Sequence, residues 1–255
     1  MRTLKLTVAY DGTDFSGWQR QAGERTVQAV IEDTLAPIEK RSVAVTGAGR
    51  TDAGVHAAAQ VASVTLETQI GLDDLHRALN ATLPADVRVI VVEDARIDFN
   101  ARHDARRKTY HYAIWNGIAV PPFLRHYTLH VPQRLALDAM NDAASALEGE
   151  HDFASFQATG SDAKSTVRRV LSSAVHDVDI AAFGAIARGD RLLRYEVTGT
   201  GFLRHMVRNI AGTLIDCGRR GSGAAEVRAV LEARDRSHAA ATAPARGLTL
   251  WKVEY

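Results

Sequence analysis

The run Thr3-Leu4-Lys5-Leu6-Thr7-Val8-Ala9-Tyr10 alternates apolar and polar side chains, a pattern typical of a β-strand with one buried face. A polar, turn-rich stretch, residues 11–23, comes next, and Thr26 stands where it can cap a helix. Five apolar residues of that helix fall on one stripe: Val27, Val30, Ile31, Leu35 and Ile38. The chain therefore opens with a strand followed by an amphipathic helix.

The rest of the first half adds two strands, a helix and a last strand. We expect the strands at residues 43–45, 58–66 and 87–92, and the helix at about residues 72–79. The order strand-helix-strand-strand-helix-strand is that of the ferredoxin-like, or split βαβ, fold, an antiparallel sheet with helices on one face. RNA-binding RRM domains share such a four-stranded sheet, although a fold alone does not define a function.

The second half repeats this order from Lys108 onward. We expect strands at residues 109–115, 167–178, 192–197 and 248–253, and helices at about residues 202–217 and 224–233. Another helix, after the first of these strands, carries Leu137, Met140, Ala144 and Leu147 on one face. The sequence thus predicts an α+β protein of two ferredoxin-like (RRM-like) halves, residues 1–106 and 107–255, with an active-site cleft between them.

The composition is that of an ordinary globular protein: 255 residues, of which 46% are hydrophobic and 24% charged. No apolar block has signal-peptide or membrane-spanning length, so we expect a cytoplasmic protein without a membrane partner. One cysteine excludes an internal disulfide, and the ten histidines lack the paired spacing of zinc sites, so no structural metal is expected. A thiol enzyme is disfavoured, because Cys217 lies on a predicted helix beside apolar Ile215 and away from the other candidate residues.

A net charge of +1 gives little overall attraction to a polyanion, so a nucleic-acid surface requires local clusters of basic residues. Such clusters occur at Arg102, Arg106, Arg107 and Lys108, at Arg20 and Arg25, at Arg168-Arg169 and at Arg219-Arg220. These clusters could contact RNA phosphates. The alternative is that they are ordinary solvent-exposed basic residues.

The run Gly49-Arg50-Thr51-Asp52-Ala53-Gly54-Val55-His56-Ala57 can hold a short side chain in a fixed position, because glycines allow positive φ and close approach. Asp52 would then act as a nucleophile or general base, with Arg50 favouring its ionised form. Asp and Gly are also the usual turn residues, so the alternative is a hairpin turn in which Asp52 bonds its own backbone. By the same reasoning His56 is expected to be structural.

Two further segments carry candidate RNA-binding residues. Tyr110 and Tyr112 follow a basic run and share one face of a strand, where they can stack an unpaired base or lie in the core. Arg204 and Arg208 are four residues apart on the helix predicted from about residue 202. Because the dipole at a helix start favours anions, we expect Arg204 to pair with a site carboxylate, an RNA phosphate or a surface acid.

Taken together, these runs resemble the tRNA pseudouridine synthase A family over almost the whole chain. The matching runs are residues 10–21, 26–28, 49–57, 99–102, 107–112, 151–156, 164–168, 201–209 and 247–250. Many ordered matches are a more specific signal than any single motif. The sequence departs from the family at Thr249, where an aromatic residue is more frequent, and at Gln157, where a basic one is.

Members of this family isomerise uridine to pseudouridine without a cofactor or a metal, and the resemblance implies the same here. It implies that Asp52 is the catalytic aspartate, that Tyr110 stacks on the flipped uracil, and that Arg204 pairs with Asp52. Leu250 would supply an apolar pocket wall. The residues implied to contact or position the RNA are Arg20, Arg25, Arg50, Arg102 and Arg208.

The family acts on the anticodon stem-loop of tRNA, at roughly nucleotides 38 to 40, as a homodimer, and both properties are expectations for this chain. Two other functions stay open on the residues alone. One is a non-catalytic RNA-binding protein of two RRM-like units, which gives Asp52 no task. The other is an enzyme that hydrolyses the glycosidic bond of a nucleotide and releases free uracil.

Overall fold

The computed structural model describes residues 1–161, 163–179 and 189–255. The structure is mixed α+β, and its strands are mostly antiparallel. The chain divides into two compact units, the first made of Met1–Arg106 with Thr249–Tyr255 and the second of Arg107–Leu248. Each unit contains strands and helices of its own.

The first unit has the element order that the sequence predicts, strand-helix-strand-strand-helix-strand. Its elements are β1 (Arg2–Tyr10), α1 (Val27–Glu39), β2 (Thr46–Gly47), β3 (His56–Leu66), α2 (Leu72–Thr82) and β4 (Val87–Ala95). β1 is the central strand, because it pairs antiparallel with both β3 and β4. β2 pairs antiparallel with β3, Thr46 opposite Ser63.

Alternation along β1 builds the core of the first unit. Leu4, Leu6 and Val8 point to one face and are fully buried. The apolar stripes of the two helices are buried as well, at Ile31, Leu35, Leu75 and Leu79. Removal of each such side chain from water stabilises the fold by about 1.5 to 3 kcal/mol. Together these residues form the apolar core of the first unit.

The strand expected at residues 43–45 is wrong, since the strand found there is β2, which starts at Thr46. Side chains of α1 satisfy the backbone of Val45 in place of a neighbouring strand. The amide of Val45 donates to Oε1 of Glu32 (3.0 Å), and its carbonyl accepts from Nε2 of Gln28 (2.9 Å). Thr26 does stand at the N-cap of α1, but within the described chain its side chain makes no cap hydrogen bond.

In its described residues the second unit has five strands and three α-helices, and two of these strands are too short for the sequence pattern to reveal. The elements are β5 (Arg107–Asn116), β6 (Leu129–His130), α3 (Leu137–Ser145), β7 (Gly149–Asp152), β8 (Val167–Val178), β9 (Arg191–Gly199), α4 (Met206–Arg220) and α5 (Ala224–Ala233). β9 is central and pairs antiparallel with β5 and β8. β7 pairs antiparallel with β8, and β6 pairs in parallel with β5.

Helix α4 begins at Met206, four residues after the expected start, so Arg204 and Arg208 do not share a helical face. Arg204 lies in a turn before the helix, and the next residue, His205, has a φ of 62°. The carbonyl of Arg204 accepts a hydrogen bond from the amide of Ala158 (2.9 Å). The segment at Ala158, which is distant in sequence, thus fixes this turn. The spacing of apolar residues after residue 202 could not predict it.

The last strand, β10 (Leu248–Glu254), pairs in parallel with the beginning of β3, Thr249 opposite His56 and Leu250 opposite Ala57. The amide of Arg106 also donates to the carbonyl of Glu254 (2.8 Å). The sequence placed this strand in the second half, residues 107–255. In the structure Thr249–Tyr255 belongs to the first unit.

Candidate active site

Asp52 opens a β-turn in the loop between β2 and β3. The amide of Val55 donates to the carbonyl of Asp52 (3.1 Å), and Gly54 has the positive φ, 77°, that this turn position requires. An Asx-turn would use the amide of Gly54, but that amide donates to the carbonyl of Phe15 (3.2 Å). The half-buried Asp52 is therefore fixed through its backbone, and the Gly54 amide is used to hold the turn against Phe15.

The loop at residues 12–18 clamps this turn from the other side. The amide of Trp18 donates to the carbonyl of Thr51 (3.1 Å). A Cβ atom on Gly12 would overlap with the carbonyl of Val55, and one on Gly17, whose φ is 95°, would lie 2.7 Å from the carbonyl oxygen of Thr51. Backbone-to-backbone approach of this kind needs glycine, and it leaves the Asp52 turn little freedom to move.

A buried pair of hydroxyl groups also anchors the residue before Asp52. Oγ1 of Thr51 lies 2.8 Å from Oη of Tyr10, and the two residues are only 7% and 5% exposed. Burial raises the pKa of Tyr10 to about 12, although the side chains of Thr51 and Gln60 act in the opposite direction. The phenol is therefore protonated at neutral pH, and the bond joins two uncharged groups. The local sequence pattern does not point to either residue.

His56 ends the same loop and is structural, as expected. The amide of Gly12 donates to its Nδ1 (3.0 Å), and Oδ1 of Asp11 lies 3.2 Å from the same nitrogen. Nδ1 of His56 thus lies between the backbone of Gly12 and the carboxylate of Asp11. His56, which is buried, thus links the end of the loop to the residues that follow β1.

Two of the arginines expected to contact RNA are held by carboxylates of the first unit. Nε of Arg20 lies 2.6 Å from Glu32, and its Nη2 lies 2.6 Å from Asp33. Arg25 forms a bidentate pair with Asp86, at 2.8 and 3.0 Å. Their guanidinium groups are therefore largely neutralised already, which reduces what each can add to a phosphate contact.

Arg50 and Arg102 differ from these two arginines. Both are exposed, and neither has an ion-pair partner among the described residues. Arg50 stands two positions before Asp52 on the same loop. Exposed, unpaired guanidinium groups are the form in which arginine meets RNA phosphates with the least competition.

Leu250 is brought next to the Asp52 loop by β10, since it lies opposite Ala57. Its side chain is fully buried, whereas the following residue, Trp251, is 49% exposed. Leu250 therefore packs in the apolar layer beside the loop.

In the second unit, Tyr110 and Tyr112 have different environments on β5. Tyr112 is a core residue whose hydroxyl donates to the carbonyl of Pro244 (2.8 Å), and burial raises its pKa above the usual range. Tyr110 is 8% exposed and meets the ring of Phe202 edge to face, with centroids 5.1 Å apart. The core alternative is therefore correct for Tyr112, and Tyr110 is the tyrosine that contacts the segment leading into α4.

The same contact relates Tyr110 to Arg204, because Phe202 precedes Arg204 by two residues. Arg204 is exposed, and its turn is held by the Ala158 amide. Arg208 is half-buried on α4, and its Nε donates to the carbonyl of Ala243 (2.8 Å), so it ties the helix to the segment before β10. The structure thus places Tyr110 near the Arg204 turn within the second unit, and Asp52 near Leu250 within the first.

The described residues contain neither a candidate metal site nor a membrane-spanning helix. In residues 1–161, 163–179 and 189–255, no group of three or more His, Cys, Asp or Glu side chains is arranged to hold a metal ion. In the same residues no helix has the length and apolar character needed to cross a bilayer.

Comparison with known proteins gives a consistent result. A sequence profile of the family described as tRNA pseudouridine synthase matches residues 6–104 and 143–255. The chain is 45% identical over 261 residues to tRNA pseudouridine synthase A of Solidesulfovibrio magneticus, covering 100% of this chain and 92% of that protein. It is 42% identical over 258 residues to that of Solibacter usitatus and 40% over 255 residues to that of Acetivibrio thermocellus, with both chains covered completely. The profile match includes Asp52, Arg204 and Leu250, while Tyr110 lies between its two ranges.

Proposed function

The chain belongs to the tRNA pseudouridine synthase family, and from this premise we propose that Asp52 is the catalytic carboxylate with which it converts uridine in tRNA to pseudouridine. The observation that carries the proposal is the clamped turn around Asp52. A half-buried carboxylate whose backbone is fixed by Phe15, Trp18 and Val55 is pre-organised for attack or proton removal.

The isomerisation needs a carboxylate and no external reactant. The bond from C1′ to N1 of uridine breaks, the uracil turns, and C5 bonds to C1′. C5 then loses its hydrogen as a proton, and N1 gains one, so the product has the composition of the substrate. Asp52 serves this reaction as a nucleophile at C1′, as a nucleophile at C6 of uracil, or as the base that removes the 2′ proton.

Tyr110 and Arg204 take the two supporting roles in this proposal. Tyr110 stacks on the uracil after it leaves the RNA stack, and the edge-to-face contact with Phe202 supports the role because it holds the ring in one orientation. Arg204 is the basic residue that orients the Asp52 carboxylate, a role supported by its exposed guanidinium and by a backbone fixed at Ala158. Leu250 forms the apolar wall beside the loop.

The substrate in this proposal is the anticodon stem-loop of tRNA, at roughly nucleotides 38 to 40, and the enzyme is a cytoplasmic homodimer without a cofactor. Each of the two units is, in this proposal, a variant of the split βαβ fold. The strand order of the first unit, β4-β1-β3-β2, supports this fold, since it is the order of a ferredoxin-like sheet.

The proposal is tested with unmodified tRNA carrying tritium at C5 of uridine, incubated with the purified protein in the presence of a chelator. An isomerase releases tritium to water and leaves no free uracil. A glycosidic hydrolase releases free uracil instead, and a non-catalytic RNA-binding protein binds the tRNA and releases neither. We expect tritium release alone, from positions in the anticodon stem-loop. Free uracil, or binding without release, contradicts the proposal.

A further inference from the structure

We propose that Tyr10 and Thr51 form a positioning pair that sets the catalytic carboxylate of Asp52 through a single buried hydrogen bond. This inference rests on the proposed function of Asp52 and goes beyond it, because it assigns a role in the reaction to two residues that are almost completely buried.

The pair connects the central strand of the first unit to the residue before Asp52. Tyr10 is the last residue of β1, where it pairs with both neighbouring strands, Ala57 on β3 and Val87 on β4. Its hydroxyl lies 2.8 Å from Oγ1 of Thr51. A tyrosine at the end of a strand that is paired on both sides is a rigid support, so the bond links the position of Thr51 to that of the sheet.

Burial makes the bond costly to break. Tyr10 and Thr51 are 5% and 7% exposed, so water does not readily replace either hydroxyl as a partner. A buried hydroxyl left without a hydrogen bond raises the free energy of the folded protein. The bond therefore favours the one rotamer of Thr51 that forms it. The Thr51 carbonyl is held independently by the amide of Trp18 (3.1 Å). The side chain and the carbonyl of Thr51 are therefore both anchored. This limits the directions that the backbone of the loop can take at Asp52.

The ring of Tyr10 is itself fixed on the opposite side. It packs at 37° against the ring of Trp18, with centroids 6.1 Å apart, and Trp18 fills the space beside Gly47, where a Cβ would lie 2.5 Å from its ring. The phenol hydroxyl thus has a defined position before substrate arrives. A misplacement of the reacting carboxylate by about 1 Å can cost roughly 100-fold in rate, so an anchor one residue away has a measurable effect.

The test measures single-turnover tritium release, tRNA affinity and melting temperature for Tyr10→Phe, Thr51→Val, Thr51→Ser and the Tyr10→Phe/Thr51→Val double variant. We expect Tyr10→Phe and Thr51→Val each to lower the rate per folded enzyme by roughly tenfold or more, with the tRNA Kd changed by less than about twofold. Thr51→Ser keeps the hydroxyl and should stay within about threefold of wild type. The double variant should be no slower than the slower single variant by more than about twofold, because both remove the same bond.

Tyr195→Phe is the matched control. Tyr195 is fully buried in the second unit, and its hydroxyl lies 3.1 Å from Oγ of Ser173, so the substitution removes an equivalent buried bond without touching the Asp52 loop. We expect it to lower the melting temperature by an amount similar to Tyr10→Phe and to leave the rate per folded enzyme unchanged. A purely structural role for Tyr10 predicts the same result for both tyrosines.

Asp52→Ala, assayed in parallel, separates the two claims. If Tyr10→Phe and Thr51→Val match the wild-type rate while Asp52→Ala is inactive, the positioning inference is overturned and the proposed function stands. If Asp52→Ala releases tritium at the wild-type rate, the catalytic assignment is overturned and the inference with it. If Thr51→Val does not fold, the rate of Tyr10→Phe decides alone.

Discussion

Gly12 stands so close to Val55 that a Cβ atom on it would overlap with the Val55 carbonyl. Val55 closes the β-turn that begins at Asp52, so any side chain at position 12 has to displace the turn. The contact is between two backbones, and neither can rotate away as a flexible side chain would. The residue that follows β1 by two positions therefore constrains the candidate catalytic loop directly.

Gly12→Ala should consequently reduce catalysis as well as stability. We expect a loss of about 2 kcal/mol or more of unfolding free energy and a tritium-release rate lower by roughly tenfold in the fraction that stays folded. Gly71→Ala is the control, since the nearest atom to its added Cβ would be Oδ2 of Asp74 at 3.7 Å. Equal activity of the two variants per folded molecule would show that the turn tolerates displacement.

Arg50 and Arg20 should differ in their contribution to tRNA binding. Arg50→Ala is expected to weaken binding several-fold and to reduce the slope of log K against log salt by about 1, because an unpaired cation then leaves a phosphate contact. Arg20→Ala should change the Kd by less than about twofold, since Glu32 and Asp33 already neutralise that guanidinium. Titrations at several salt concentrations measure both slopes. A larger slope change for Arg20 would reverse this assignment.

His111 should make the protein less stable as the pH falls. Burial lowers its pKa from 6.5 to about 4, against the opposing effect of Glu196, whose Oε2 lies 2.9 Å away; Arg194 and His176 lower it further. Between pH 6.5 and about 4 the unfolded chain then binds more protons than the folded chain. The contribution of neutral His111 to the free energy of unfolding is therefore complete above pH 6.5 and is lost as the pH falls through this window. Urea unfolding at a series of pH values should show a total loss of unfolding free energy on the order of 3 kcal/mol across this window, since one pKa unit corresponds to about 1.4 kcal/mol. His111→Gln should have a flatter profile, and identical slopes for the two proteins would contradict the shift.

The sequence predicted the elements whose signal is local. Alternation located β1, helical spacing located α1, and the glycine-rich run located the loop of Asp52. Residues 43–45 were misread as a strand because side chains of α1 satisfy the Val45 backbone, a partnership that no short window contains. The start of α4 was misplaced for the same kind of reason, since the turn at Arg204 depends on the Ala158 amide.

The residues of the candidate site likewise fall into those that a local sequence pattern indicates and those that long-range contacts bring together. The glycine-rich run makes Asp52 a candidate and the family resemblance implies its role, but the residues that hold it, Tyr10 and Trp18, are supplied by another strand and loop. The roles of Arg20 and Arg25 were also beyond the sequence, because their carboxylate partners become visible only in the folded unit. The residue types in the sequence indicate which side chains could bind RNA or act in catalysis. Contacts between residues distant in sequence determine which of these side chains are already paired in the folded protein.

The central claim is that Asp52 carries the chemistry, and single-turnover tritium release by Asp52→Asn tests it most directly. The substitution preserves size and removes the charge. Asp73→Asn, at an exposed position in the first turn of α2, is the matched control. We expect Asp52→Asn to melt within a few degrees of wild type, to bind tRNA with a Kd within about threefold, and to release tritium about 1,000-fold more slowly or not at all, while Asp73→Asn keeps the wild-type rate. Release by Asp52→Asn at a rate within about tenfold of wild type would contradict the account.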